Sequence, residues 1–192
     1  MSAPAKTQRV RLIGGLWRSR RLSFPAREGL RPTPDRVRET VFNWLAPSLP
    51  EARCLDLFAG SGALGFEALS RGAATAVLVE KDRPAETALR QTAHLLDAKT
   101  ATVVAEDALH FLAATPPAAF DIVFLDPPFG SALLAAALTL MEERGILAPA
   151  GLVYIETAAD AAWELPPDLR WHRQGCAGKV RFGLATSHKE SQ

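Results

Sequence analysis

The stretch Phe120-Asp-Ile-Val-Phe-Leu-Asp-Pro-Pro-Phe-Gly130 ends an apolar run on a carboxylate, two prolines and an aromatic ring. Asp126 supplies a hydrogen-bond acceptor. Pro127 and Pro128 lack an N–H and have a fixed φ, so they lock the turn and keep its carbonyls out of any helix ladder. Phe129 offers a flat face. A planar base with an exocyclic amine asks for that set. Two acceptors, the Asp126 carboxylate and the Pro127 carbonyl, orient the amine's protons, and Phe129 provides a stacking surface. The bland alternative is a rigid turn capped by an aromatic. Placement after a strand, in a chain that also carries a glycine-rich loop, favours the catalytic reading.

That loop is Cys54-Leu-Asp-Leu-Phe-Ala-Gly-Ser-Gly-Ala-Leu-Gly65. Gly60, Gly62 and Gly65 fit G-x-G-x-x-G between a strand and a helix, where glycines permit a tight turn and close ligand approach. No Lys-Ser/Thr pair follows, which excludes a triphosphate-binding P-loop. Glu80 closes the next apolar run, twenty residues after Gly60, where a carboxylate takes both hydroxyls of a ribose. Asp56 lies inside an apolar strand, and an acid buried there is costly unless paired. The ammonium group of S-adenosylmethionine would pair it, whereas a dinucleotide would bring a pyrophosphate to the helix N-terminus. Phe58 joins Asp56, Gly60, Gly62 and Glu80 as a candidate cofactor contact. Asp107 opens a later helix, either as an acceptor for an adenine amino group or as an ordinary N-cap. Cys54 and Cys176 are isolated and match no zinc spacing, so neither a metal site nor a disulfide framework is expected.

These residues need a scaffold that gathers strand ends. From Arg53 the pattern alternates strand and helix: strands at 53–58, 75–80, 101–105, 120–125 and 151–156, helices at 62–71, 83–96, 107–114 and 131–144. Continuous apolar runs such as Ile122-Val-Phe-Leu125 suit a parallel sheet buried on both faces. The alternation predicts a doubly wound α/β domain over 51–192. Residues 169–175 and 179–185 predict an antiparallel hairpin at the sheet edge. Upstream, 1–8 read as a disordered tail. Residues 9–13 and 16–22 predict a hairpin turning at Gly14-Gly15. A helix follows, with Thr33 as N-cap and Pro34 at its first position, so that 9–50 form an N-terminal appendage. Trp44, Trp163 and Trp171 read as packing residues.

Composition sets the outer bounds. The chain is 48% hydrophobic and 22% charged, as ordinary folded domains are, so its 192 residues suit one domain. Its longest mostly apolar stretch, Leu133 to Met141, is too short to span a bilayer, and Met1 to Gln8 lack the apolar core of a signal peptide. A cytoplasmic protein is expected. Residues 1–53 hold eleven basic side chains against four acidic ones, a net +7, while the rest holds eleven against seventeen, a net −6. A basic arm on an acidic body points to an anionic macromolecule at one end or to a solvated arm. Arg9, Arg11, Arg18, Arg20, Arg21, Arg31, Arg36 and Arg38 are the candidate phosphate contacts. Trp17 either stacks on a nucleotide or packs the hairpin inward.

Asp126-Pro-Pro-Phe129 resembles the signature of methyltransferases acting on exocyclic amines, and Leu55 to Gly65 resembles their S-adenosylmethionine loop. Arg11-Leu-Ile-Gly-Gly-Leu-Trp-Arg18 and Arg31-Pro-Thr-Pro-Asp-Arg-Val-Arg-Glu-Thr-Val-Phe-Asn-Trp-Leu45 are similar to the bacterial small-subunit rRNA guanine-N2 methyltransferases of the D type. The resemblance runs from about Arg9 to about Ala185. It implies a Rossmann-like class I methyltransferase fold with a mostly parallel seven-stranded sheet, and S-adenosylmethionine as methyl donor without a metal. It further implies 16S rRNA as substrate, within a partly assembled 30S subunit, with guanine 966 as the target of a monomeric enzyme. Phe129 departs from the Tyr of many relatives, which keeps stacking and removes a phenolic hydrogen bond. Three other readings stay open: an adenine-N6 methyltransferase, a nicotinamide oxidoreductase using the same glycine loop, and a non-catalytic rRNA-binding factor.

Overall fold

The computed structural model describes residues 7–26, 33–128, 130–161 and 164–187. Phe129, Arg31, Trp163 and residues 1–6 of the tail expected at 1–8 lie outside the described residues. Strands β1 (Thr7–Arg11) and β2 (Arg21–Pro25) form a separate antiparallel ribbon, with Arg11 opposite Arg21. Its alternation is that of a half-buried strand pair: Val10, Leu22 and Phe24 face inward, while Arg9, Arg21 and Ser23 face out.

Three expectations for this region change. β1 begins at Thr7, inside the expected tail, and the second strand starts at Arg21 rather than 16. Gly14-Gly15 does not make a two-residue hairpin turn. Gly15 has φ +73°, and a Cβ there would lie 1.7 Å from the Ser70 carbonyl oxygen, which accepts from the Leu16 amide. The glycine serves a close approach to the helix carrying Ser70, and the chain needs 12–20 to complete the excursion.

Helix α1 (Asp35–Leu45) buries Val37, Val41, Phe42 and Leu45, and its Trp44 stacks on Phe182 at 5.7 Å. Pro34 is its N-cap, one position earlier in role than expected, and Thr33 caps nothing, because its hydroxyl is turned into the sheet. The alternating part follows as β3 (Arg53–Asp56), α2 (Ala63–Ser70), β4 (Thr75–Val79), α3 (Arg83–Leu95), β5 (Ala101–Val104), α4 (Ala108–Ala114), β6 (Phe120–Leu125) and α5 (Leu133–Arg144). Three long strands, β7 (Leu147–Ala158), β8 (Leu169–Ala177) and β9 (Val180–Ser187), close the chain.

The seven strands order as β5-β4-β3-β6-β7-β9-β8. β3 to β7 run parallel, and β9 inserts antiparallel between β7 and β8, so the expected edge hairpin closes with β8 outermost. This is the class I methyltransferase architecture. One face is covered by α4 and α5 through Leu112, Leu138 and Met141. The other is covered by α1, α2 and the ribbon, whose Val10, Leu12, Leu22 and Phe24 share one buried cluster with Phe42, Phe66 and Tyr154. Every residue of α2 is buried, because the ribbon loop covers the side turned away from the sheet. The topological switch falls between β3 and β6, which opens a crevice at their carboxyl ends. Among the described residues, no helix is long and apolar enough to cross a membrane.

Candidate active site

Asp56 ends β3 at 2% exposure and accepts from the Gly65 amide at 2.9 Å. Burial pushes its carboxyl up to about 7; the Gly65 N–H opposes that shift, and nearby Glu80 adds to it. Gly62 stands at φ +74°, and a Cβ there would meet Leu89 and Phe66 at 2.6 Å, so the loop admits only glycine before α2. Glu80, beyond β4, accepts from the Gly60 amide at 3.0 Å and the Asp82 amide at 2.8 Å. Asp56 at the end of β3, Gly60 and Gly62 in the loop that follows, and Glu80 after β4 are thus brought to one end of the sheet. Phe58 is half-buried against the α4–α5 side. Asp107 caps α4, accepting from Leu109 at 3.0 Å, with Lys81 at 3.6 Å. Cys54 is pushed up to about 12 by burial and carries no nucleophile.

Asp126 follows β6 directly and is half-buried, with Pro127 buried next to it. Its surroundings were not foreseen. Glu156, 4% exposed near the end of β7, brings a second carboxyl beside it. The Thr33 hydroxyl bridges the two, 2.7 Å from Glu156 Oε2 and 3.4 Å from Asp126 Oδ2. The buried Tyr154 hydroxyl donates to the same Glu156 oxygen at 2.7 Å. Burial raises Asp126 well above the usual carboxylate range, with Glu156 and then Asp56 adding to the shift. Burial also raises Glu156, against two hydroxyl donors that favour its charged form. Glu156 carried the same signal as Asp56, an acid closing the apolar run Leu152-Val-Tyr-Ile155. Thr33 carried none, since its role depends on where the N-terminal segment lies.

The basic arm divides. Arg9, Arg11, Arg18, Arg20, Arg21 and Arg36 are exposed, and Arg11 pairs with Asp35 at 2.6 Å. Arg9, Arg11 and Arg21 line a recess of ≈ 340 Å³ that Thr33 also lines. Arg38, expected on phosphate, faces inward instead and is fully buried. It donates to Asp35 at 2.6 Å, to the Arg11 carbonyl at 2.8 Å and to the Thr33 carbonyl at 3.2 Å, with buried Glu67 3.7 Å away. Its place on the apolar stripe of α1, next to Val37 and Val41, directs it to the core. Trp17 is half-buried against the core.

The family model described as Conserved hypothetical protein 95 matches residues 10–186. The chain is 48% identical to the Ribosomal RNA small subunit methyltransferase D of Escherichia coli (strain K12), over 91% of its own length and 88% of the relative's. Its identity to the protein of that name from Haemophilus influenzae is 41%, over 96% and 97%. A solved Escherichia coli structure carrying a methyltransferase name superposes with a TM-score of 0.85 at 46% identity, covering 95% of this chain and 100% of that one. With the sheet order, the glycine loop and the Asp-Pro-Pro turn already in place, these matches make the chain a member of the small-subunit ribosomal RNA methyltransferase D family.

Proposed function

We propose that the protein transfers a methyl group from S-adenosylmethionine to the exocyclic N2 of guanine 966 of 16S rRNA, within a partly assembled small subunit. The carrying observation is the half-buried Asp126 carboxyl at the end of β6, beside the strand that bears the glycine loop. The amine is a poor nucleophile because its lone pair is delocalised into the ring. Asp126 and the Pro127 carbonyl accept hydrogen bonds from its two N–H groups and turn that lone pair toward the methyl, and Phe129 stacks on the base. Holding the two reactants in line accounts for much of the acceleration, up to ~7–11 kcal/mol in well-oriented systems. Asp56 takes the donor's ammonium, Glu80 its ribose hydroxyls and Asp107 its adenine amino group, with Phe58 against the ring. An acid with a raised proton affinity fits the first of these roles: a cation restores its charge.

Arg9, Arg11, Arg18, Arg20, Arg21, Arg31 and Arg36 hold phosphates, which gives affinity and register but not base identity. The recess shared by Arg9, Arg11, Arg21 and Thr33 supports this, since the Thr33 that lines it lies 3.4 Å from Asp126. A nicotinamide oxidoreductase would leave both the Asp-Pro-Pro turn and the arm without a task. The test is mass spectrometry of 16S rRNA from a deletion strain. One N2-methylguanine should be missing, should return with the wild-type gene and should not return with Asp126→Ala. A fully methylated deletion strain sinks the assignment.

A further inference from the structure

The Thr33 hydroxyl has one proton and stands between two carboxyl oxygens, 2.7 Å from Glu156 and 3.4 Å from Asp126. It donates to one and accepts from the other, so the row Asp126–Thr33–Glu156 has an ordered direction only if one carboxyl is protonated. Tyr154 decides which. Its hydroxyl also donates to Glu156 Oε2, so that oxygen receives two donors and holds the negative charge, while the shared proton sits on Asp126. The other acid facing Asp126 is Asp56 from β3, which reinforces the protonated form.

Methylation of an amine releases a proton, and an already protonated Asp126 has to pass one on before it takes another. We propose that Thr33 and Glu156 form with Asp126 a relay that removes the proton released by the methylated amine, Glu156 being its terminus. The relay rests on Asp126 being the residue that orients the amine. As the S–CH3 bond breaks and the N–CH3 bond forms, the sulfonium becomes a neutral thioether and its positive charge passes to the nitrogen. The amine N–H then breaks toward Asp126. The Asp126 Oδ2 proton moves to Thr33 Oγ1, and the Thr33 proton moves to Glu156 Oε2. One proton has been added to Glu156, the product amine is neutral, and every other group ends with the protons it began with. After product release the proton returns along the row and leaves through the solvent-accessible part of Asp126. Thr33 and Glu156 do not touch the base; they are positioning residues acting through Asp126.

Single-turnover transfer from methyl-labelled S-adenosylmethionine to unmodified small ribosomal subunits tests this. Glu156→Gln and Thr33→Val keep shape and remove the proton path. Each should slow transfer about 100-fold, the scale of one proton-transfer role. Each should leave KM for both substrates within about twofold, since neither contact binds them. Thr33→Ser restores the hydroxyl and should restore the rate. If Asp126→Ala is inactive while Glu156→Gln or Thr33→Val transfers at the wild-type rate, the relay is overturned and the role of Asp126 stands. If Asp126→Ala keeps the wild-type rate, both fall. Should Glu156→Gln fail to fold, the Thr33 pair decides alone: a serine variant as slow as the valine variant overturns the relay.

Discussion

Glu80 uses both carboxylate oxygens on backbone amides, one on Gly60 of the glycine loop and one on Asp82 of its own loop, and a carboxylate has lone pairs for about two acceptor bonds more. Glu80→Ala should therefore weaken S-adenosylmethionine binding roughly tenfold or more, since each hydrogen bond to a charged group is worth ~1.5–3 kcal/mol. Calorimetry measures it, and an unchanged dissociation constant removes the ribose role. Asp56 gives a pH signature. Its folded carboxyl titrates at about 7 against an ordinary value of 3.8, so the fold favours its protonated form. Stability is full below about pH 4 and falls as pH rises toward 7, by about 4 kcal/mol at ~1.4 kcal/mol per unit. Asp56→Asn does not ionise, so its melting temperature should gain on wild type between pH 5 and pH 8, read from a pH series of thermal melts. A constant gap across that range contradicts the buried titration. The strand-end positions of Asp56, Glu80 and Asp126 were legible because each acid follows apolar residues. Thr33 and Arg38 were not, because linear charge and cap patterns do not say which face of a segment a distant sheet will cover.

Among the elements, the parallel strands were legible as unbroken apolar runs, within a few residues at their ends except at β7. That strand begins at Leu147 rather than 151, where it pairs with Phe120 before a bulge resets the register. The ribbon was legible in kind but not in length. The Gly14-Gly15 pair signals a hairpin turn in isolation, and the contact with Ser70 that claims it is 55 residues away. The lengthened loop presents Arg18 and Arg20 to solvent, and the start of β2 presents Arg21. If they meet phosphates, RNA affinity falls as salt rises, with a slope of about −0.7 per contact for single strands. Replacing all three by alanine should flatten that slope by up to about two units. The fold and the preference among bases should survive, since the three side chains are exposed and phosphate contacts do not specify. Affinities at several salt concentrations, with a melting curve for each variant, decide it; an intact variant with an unaltered slope removes the arm from the interface.

Across the whole molecule, one buried charge network ties the arm to the cofactor side. Glu67 of α2 accepts from the Ile13 and Gly14 amides at 2.7 and 2.8 Å and from Arg71 at 2.6 Å, while Arg38 reaches from α1 to Asp35, Arg11 and Thr33. Both Arg38 and Glu67 are at 0% exposure. Removing one member of a buried pair costs about 3–5 kcal/mol, so Arg38→Met should lower stability on that scale in urea unfolding. A variant as stable as wild type would mean that Arg71 alone suffices for Glu67. The sheet's outer margins bear on a different matter, the protein's conduct in a crowded cell. A free strand edge is a template on which another chain can add. One margin is β5, only four residues long. The other is β8, longer, but broken by a bulge between Trp171 and Arg173 and carrying exposed Arg170, His172 and Arg173. Irregular spacing and like charges deny an incoming strand a regular ladder. A regular strand-on-strand contact along β8 is thereby disfavoured.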